Sequence, residues 1–238
     1  MSALASDTAM VMAAGLGKRM RPLTTLQPKP LVRVAGKPLI DHALDRLAEA
    51  GIARAVVNVH YLADPLEAHL RDRRKPQVVI SDERDRLLET GGGMVKALAQ
   101  LPDPFFCINA DNIWLDGPRS AFADLSRHWN PEAMDALLLV VPHSRAHNFD
   151  GPGDFSMDAL GRLKRRLPGR VAPFVYTGIQ LVSHRLLRDA PSGPFGTMHL
   201  WERAIGEGRL YGVSFTGEWF EVGTPQALAP TEAALQGG

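Results

Sequence analysis

The chain predicts an α/β fold with a mixed, mostly parallel sheet flanked by helices. Three observations carry that expectation. Short apolar runs alternate with segments of helical periodicity, the order that parallel strands joined by crossover helices require. The first run, Thr8–Ala14, is apolar from Ala9 onward, as in a strand covered on both faces. A glycine-containing loop follows it at once, and open α/β sheets bind their ligands beyond the carboxyl ends of their strands.

The elements follow in order. Gly36–Ala50 places Leu39, Ile40, Ala43, Leu44 and Leu47 at helical spacing, and Gly51 ends that helix. Ala53–His60 is the next strand. Asp64 is expected to cap a short helix that has Pro65 at its first position and runs to about Arg71. Gln77–Ser81 is a third strand, Thr90–Leu101 a helix introduced by glycines, and Phe105–Asn109 a strand ending in acid. Ser120–Trp129 reads as a helix and Asp135–Val141 as a fifth core strand. Beyond residue 142 the texture becomes loop-rich. Strands are expected at Ala172–Ser183 and Arg209–Phe215, and helices at Thr197–Gly206 and Pro225–Leu235, the last with Thr224 as its cap. The 238 residues read as one domain whose texture divides into two halves at about residue 141.

The composition narrows the class. Apolar residues make up 45% and charged residues 22%, and the formal net charge is +1, so no global field favours nucleic acid or an anionic membrane. The single cysteine, Cys107, has no partner for an internal disulfide, and no apolar run approaches membrane-spanning length. The expectation is a cytoplasmic protein, monomeric or a small homo-oligomer, with no nucleic-acid or membrane partner. The histidines lack metal-ligand spacing such as His-Glu-x-x-His.

The most informative segment is Ala13–Pro30, AAGLGKRMRPLTTLQPKP. Gly15 and Gly17 let the backbone curl tightly and come close to a ligand, and Ala13 and Ala14 just before them are expected to bind the nucleotide with them. Their N–H groups, with Lys18, Arg19 and Lys29, make a donor-rich cradle suited to several phosphate charges. Pro22, Pro28 and Pro30 stiffen it. A dinucleotide fingerprint would need glycine where Met20 stands, and a Walker loop would need Ser or Thr where Arg19 stands. The pattern therefore points to a nucleoside triphosphate held in another way. Asp111, just past the fourth strand in FCINAD, suits a divalent cation bridging two phosphates. In LLETGGGMVKAL, the backbone of Gly91, Gly92 and Gly93 is free to approach and read the edge of a base. Asn58 and His60 end a strand within reach of the pocket, and His60 reads as structural.

Gly-x-Gly-x-Arg-x-x-Pro-x-Thr with the later Pro-Lys-Pro, Glu-Thr-Gly-Gly-Gly, Asn-Ala-Asp and Trp-Phe-Glu-Val-Gly-Thr-Pro, in that order along nearly the whole chain, resembles the sugar-1-phosphate nucleotidyltransferases. The resemblance implies the nucleotide-diphospho-sugar transferase fold, with a nucleotide-binding half to about residue 141 and a sugar-binding half from about 142 to 238, and attack of a sugar 1-phosphate on a nucleoside triphosphate. It makes Arg19, Lys29 and Asp111 catalytic, and Asp111 and Glu221 the ligands of Mg2+. Gly91 to Gly93 would contact the base, while Glu89, Asn109, Gly153, Thr177 and Gly178 would form the sugar side. Glu221 is one methylene longer than the family's aspartate, Ala110 replaces a glycine, and the family's Glu-Lys pair is missing, leaving Lys164, Arg165 or Arg166 as replacements. Within the family the short chain with LETGGG is most similar to members using UTP and N-acetylmuramate 1-phosphate. The alternatives are GTP with mannose 1-phosphate, or a non-catalytic sugar-nucleotide sensor.

Overall fold

A computed structural model describes residues 3–237. Its main sheet is built around β1 (Thr8–Met12), which lies between β2 (Arg54–Val59) and β4 (Phe105–Asn109), parallel to both; β3 (Gln77–Asp82) extends the parallel set beyond β2. The helices α1 (Leu39–Glu49), α2 (Ala63–Leu70) and α3 (Glu89–Ala97) provide the crossovers. Period-2 alternation decides which helix meets which side chain. Ala9 and Val11 pack with Ile40, Leu44 and Leu66, whereas Met10 points the other way and packs with Met94 and Ala97. Both faces are covered, which is why the strand reads as an unbroken apolar run. All five periodic residues of α1 are buried, each Leu or Ile contributing about 1.5–3 kcal/mol relative to exposure. Gly51 ends α1 at φ 85°, a left-handed conformation that glycine adopts without penalty.

The second part of the chain joins the same sheet. After β5 (Asn112–Leu115) and α4 (Ala121–His128) come β6 (Ala136–Pro142), β7 (Ala146–His147), β8 (Phe155–Met157), β9 (Leu163–Arg165) and the long β10 (Phe174–Val182). β10 runs antiparallel to β4 and also pairs with β6 and β8, so the sheet is mixed, with nine strands and a parallel core. α5 (Met198–Gly206), β11 (Leu210–Ser214), β12 (Glu218–Glu221) and α6 (Leu228–Gly237) complete the described chain.

Several sequence expectations are corrected. Lys37–Pro38 belong to a short ribbon with Arg33–Val34, so α1 starts at Leu39 rather than Gly36. Leu62, not Asp64, stands at the start of α2; Asp64 lies in its first turn and pairs with Arg84. Thr224 makes no side-chain cap, and Pro225 opens a 3-10 turn before α6. The pairing of β5 with β12 has no counterpart among the sequence expectations, because a four-residue strand directly after a turn carries too little periodicity to register. That ribbon positions chemistry: its register sets Asn112 opposite Glu221, which brings Glu221 beside Asp111.

Candidate active site

The segments after β1, β3 and β4 meet the end of β2 at one rim of the sheet. Around them lie three cavities of about 370, 410 and 130 Å³. The first is lined by Ala14, Gly15, Asn58, Glu89, Thr90, Asn109 and Asp111. The second lies along Gly15 to Met20 and includes Arg19, Lys29, Asp111 and Gly223. The third is lined by Asn109, Asp111, Thr177, Gly178 and Glu221 with Arg19. Asp111 lines all three.

The glycine loop is anchored from below. Met20 is fully buried and packs with Val32, Leu39, Phe220 and Val222, so the side chain that departs from a dinucleotide fingerprint is a core residue. Gly17 takes φ 59°, and a Cβ there would lie 3.0 Å from Lys29 Cβ and 3.1 Å from Thr24 Cγ2. The close approach seats Lys29, whose side chain is 12% exposed and whose Nζ donates to Asp111 Oδ2. Arg19 is 68% exposed and donates to Glu221 Oε1 at 3.2 Å. Arg19, Lys29 and Asp111 thus face a common cavity, and each cation already holds one of the two carboxylates expected to bind metal. Lys18 lines this same cavity.

Other expected residues are placed differently. The N–H of Ala13 donates to Asn58 Oδ1 at 2.7 Å, so it is not open to a phosphate. Gly91 and Gly92 do not present free N–H groups to a base: both donate to the carbonyl of Phe195, at 2.9 and 3.2 Å. Their lack of a side chain serves packing. A Cβ on Gly91 would fall 2.2 Å from the Phe195 ring, one on Gly92 2.5 Å from Gly193 O, and one on Gly93 2.9 Å from Glu83 Oε1. The segment 193–197 therefore clamps this turn, with Thr197 N also donating to Thr90 Oγ1 at 2.9 Å. The residues of that short loop carry no pattern that hints at the role.

On the expected sugar side, Gly178 is at φ 80°, where a Cβ would lie 2.2 Å from Asn112 Nδ2. Thr177 lines the 130 Å³ cavity, but its hydroxyl donates to Leu139 O at 2.8 Å and is engaged within the fold. Its carbonyl accepts from Asn112 Nδ2 and, at 2.9 Å, from Trp219 Nε1. Glu89 lies apart from Thr177 and Gly178, in the 370 Å³ cavity with Ala14 and Gly15, in a left-handed backbone conformation at φ 59°. Gly153 is also separate: it lines another cavity, with Asp154, Arg165 and Arg166, and its missing side chain accommodates Ala172 O, 2.2 Å from where a Cβ would stand. Arg166 donates to the carbonyls of Gly153, Leu167 and Arg170 and so holds that loop in shape, whereas Arg165 pairs with Glu202 and ties β9 to the helix Met198–Gly206. His60 donates from Nδ1 to Glu83 O at 2.7 Å, a structural role. Burial raises the Asp154 carboxyl above its ordinary value against the opposing bond from Tyr176 N–H.

No helix among the described residues is long and apolar enough to cross a membrane. The family model described as nucleotidyl transferase matches residues 8–151. The chain is 47% identical over 236 residues to the N-acetylmuramate alpha-1-phosphate uridylyltransferase of Caulobacter vibrioides, covering 97% of this chain and 98% of that protein. It is 34% identical to the protein of the same name from Neisseria meningitidis, covering 94% and 96%. Among solved structures, the inositol-1-phosphate CTP transferase of T. maritima superposes with a TM-score of 0.78 at 18% identity over 98% of this chain and 96% of that one, a likeness of fold. With a family match over more than half its length and close relatives along nearly all of it, the chain belongs to the nucleotidyl transferase family and is a sugar-1-phosphate nucleotidyltransferase.

Proposed function

We propose that the enzyme joins uridine triphosphate to N-acetylmuramate 1-phosphate, releasing pyrophosphate and forming UDP-N-acetylmuramate. The base and the sugar are supported by the 47% identity to a relative bearing that name. The observation that carries the site is the position of Asp111, on the wall common to three adjoining cavities. The 370 Å³ cavity takes the nucleoside, the Gly15–Met20 cavity the triphosphate, and the cavity at Gly178 the sugar 1-phosphate.

The attacking phosphate oxygen is already ionised, so the step needs no general base. A P–O bond forms at the α-phosphorus, and the bond to the β-phosphate oxygen breaks. Catalysis rests on alignment and on neutralising charge between two anions. Arg19, exposed on the loop, binds the outer phosphates; Lys29, held in the cavity wall, offsets charge near the α-phosphate. Each must exchange a carboxylate for a phosphate oxygen.

Asp111 and Glu221 fit a magnesium ion as a donor set. They are hard oxygen ligands lining one cavity, and a magnesium site of one or two carboxylates takes its remaining ligands from phosphate and water. Among the described residues there is no group of three or more acidic, His or Cys side chains to bind a metal without substrate. When bound, the ion supplies positive charge that draws two phosphates together.

The test is pyrophosphate release across a grid of nucleoside triphosphates and sugar 1-phosphates with magnesium. UTP with N-acetylmuramate 1-phosphate should give the highest kcat/KM. A preference for GTP with mannose 1-phosphate would overturn the substrate reading, and absence of pyrophosphate with every pair would overturn the catalytic one.

A further inference from the structure

Glu83 is a fully buried carboxylate that takes no part in the chemistry outlined above. Among the described residues it forms no ion pair. An ionised group in such a place is costly unless hydrogen bonds replace its water. Its two oxygens accept from two different parts of the chain. Oε1 accepts from Asn58 Nδ2 at 2.8 Å, and Oε2 from the N–H of Leu88 at 3.1 Å. Asn58, 2% exposed, in turn accepts the N–H of Ala13 at 2.7 Å through its Oδ1. One unbroken path therefore runs from Ala13 to Asn58, Glu83 and Leu88.

The ends of that path lie behind the two walls of the 370 Å³ cavity. Ala13 stands between Met12 and Ala14, and Leu88 between Leu87 and Glu89, and all four of those neighbours line it. Gly93 closes the arrangement from a third side, since a Cβ there would sit 2.9 Å from Glu83 Oε1 and 3.0 Å from Asn58 Nδ2.

We propose that Asn58 and Glu83 are positioning residues that set the spacing between the glycine loop and the Leu87–Thr90 wall, and so determine affinity for the nucleoside triphosphate. This rests on the reading of that cavity as the nucleotide site. The path has N–H donors at both ends, so its interior needs one amide and one carboxylate. Glu83→Gln introduces a second amide, and flipping either amide merely moves the donor–donor mismatch between Leu88, Asn58 and Ala13. Asn58→Asp places two carboxylates face to face, a like-charge contact that either repels or must take up a proton. The double variant Asn58→Asp with Glu83→Gln exchanges the groups and restores complementarity. The carboxylate, now on the strand that ends at Val59, accepts from Ala13 and from the new amide opposite it, and the amide oxygen accepts from Leu88.

The experiment compares steady-state kinetics of the wild type, both single variants and the double variant, well below their melting temperatures. Each single variant should raise KM for the nucleoside triphosphate about tenfold or more, the scale of an unmet buried hydrogen bond. KM for the sugar 1-phosphate should stay within about twofold, and the double variant should recover to within about threefold of wild type. Gly93→Ala, which presses on the pair while leaving every polar atom in place, is the second probe if a single variant does not fold; it should raise the same KM selectively. An unmoved triphosphate KM, an equal rise in both KM values, or a double variant no better than the worse single one overturns the proposal while leaving the enzyme's function standing. A wild type without turnover on any pair sinks both.

Discussion

Lys29 donates from Nζ to Asp111 Oδ2 at the point where three cavities meet, and no other charge pair in the described chain is so placed. The carboxylate is 33% exposed and the ammonium 12%, so the pair is partly desolvated and faces the space assigned to phosphates. Asp111→Asn should lower kcat by about a hundredfold or more, the usual effect of removing one electrostatic element from a site of this kind. Lys29→Met should do the same, and it also leaves Asp111 without its counter-charge. Pyrophosphate release at saturating substrates measures both, and near-wild-type rates for the two variants would defeat the assigned roles.

Arg19 presents a contrast. Its pair with Glu221 is exposed, and such pairs stabilise a fold by about 0–1 kcal/mol. Arg19→Ala should therefore leave the melting temperature almost unchanged while raising KM for the triphosphate by about tenfold, as expected for loss of a charge-assisted contact to phosphate. A large fall in melting temperature, with KM unaltered, would make the residue structural.

Gly178 is held by geometry. Its φ of 80° disfavours any side chain, and a methyl group would stand 2.2 Å from Asn112 Nδ2 and 2.7 Å from Asn109 Nδ2. Gly178→Ala should destabilise the protein by about 2 kcal/mol or more, combining left-handed strain with overpacking. It should also raise KM for the sugar 1-phosphate. Urea unfolding and kinetics together check this; an unchanged unfolding midpoint would show that the strand relaxes freely around the added methyl group.

Asp154 gives a pH-dependent expectation. Burial raises its folded pKa above the unfolded value, while Tyr176 N–H, Arg166 and His143 oppose the shift. The folded chain then holds this proton more tightly, so its contribution to stability declines as pH rises from the ordinary aspartate range through the raised value, and is level above it. Asp154→Asn removes the penalty and keeps an acceptor for Tyr176 N–H. The variant should melt higher than wild type at neutral pH, with the gain vanishing as pH falls below the ordinary aspartate range. A gain independent of pH would assign the effect to packing.

Much of the fold is written in local pattern. The α1 periodicity, the apolar β1 and the run from Phe105 to Asn109 each specify an element that the structure contains, because burial against a sheet imposes a period that short-range sequence can carry. The strands β5 and β12 are not legible in that way: each has four residues, and their pairing joins positions far apart in the chain. Without that pairing nothing in the sequence brings Glu221 to Asp111 except likeness to a family.

The three glycines at 91–93 mark the same divide. Sequence alone left room for backbone to come close to something there, since glycine carries no side chain. The folded chain decided what that something is: the Phe195 ring, Gly193 O, and the Asn58–Glu83 pair. Composition and spacing likewise determined a cradle of cations after the first strand. Which N–H groups remain open, and which cation faces which acid, depended on hydrogen bonds to distant residues such as Asn58 and Glu221. A donor's availability is a property of its partners in space, and a linear pattern carries no record of them.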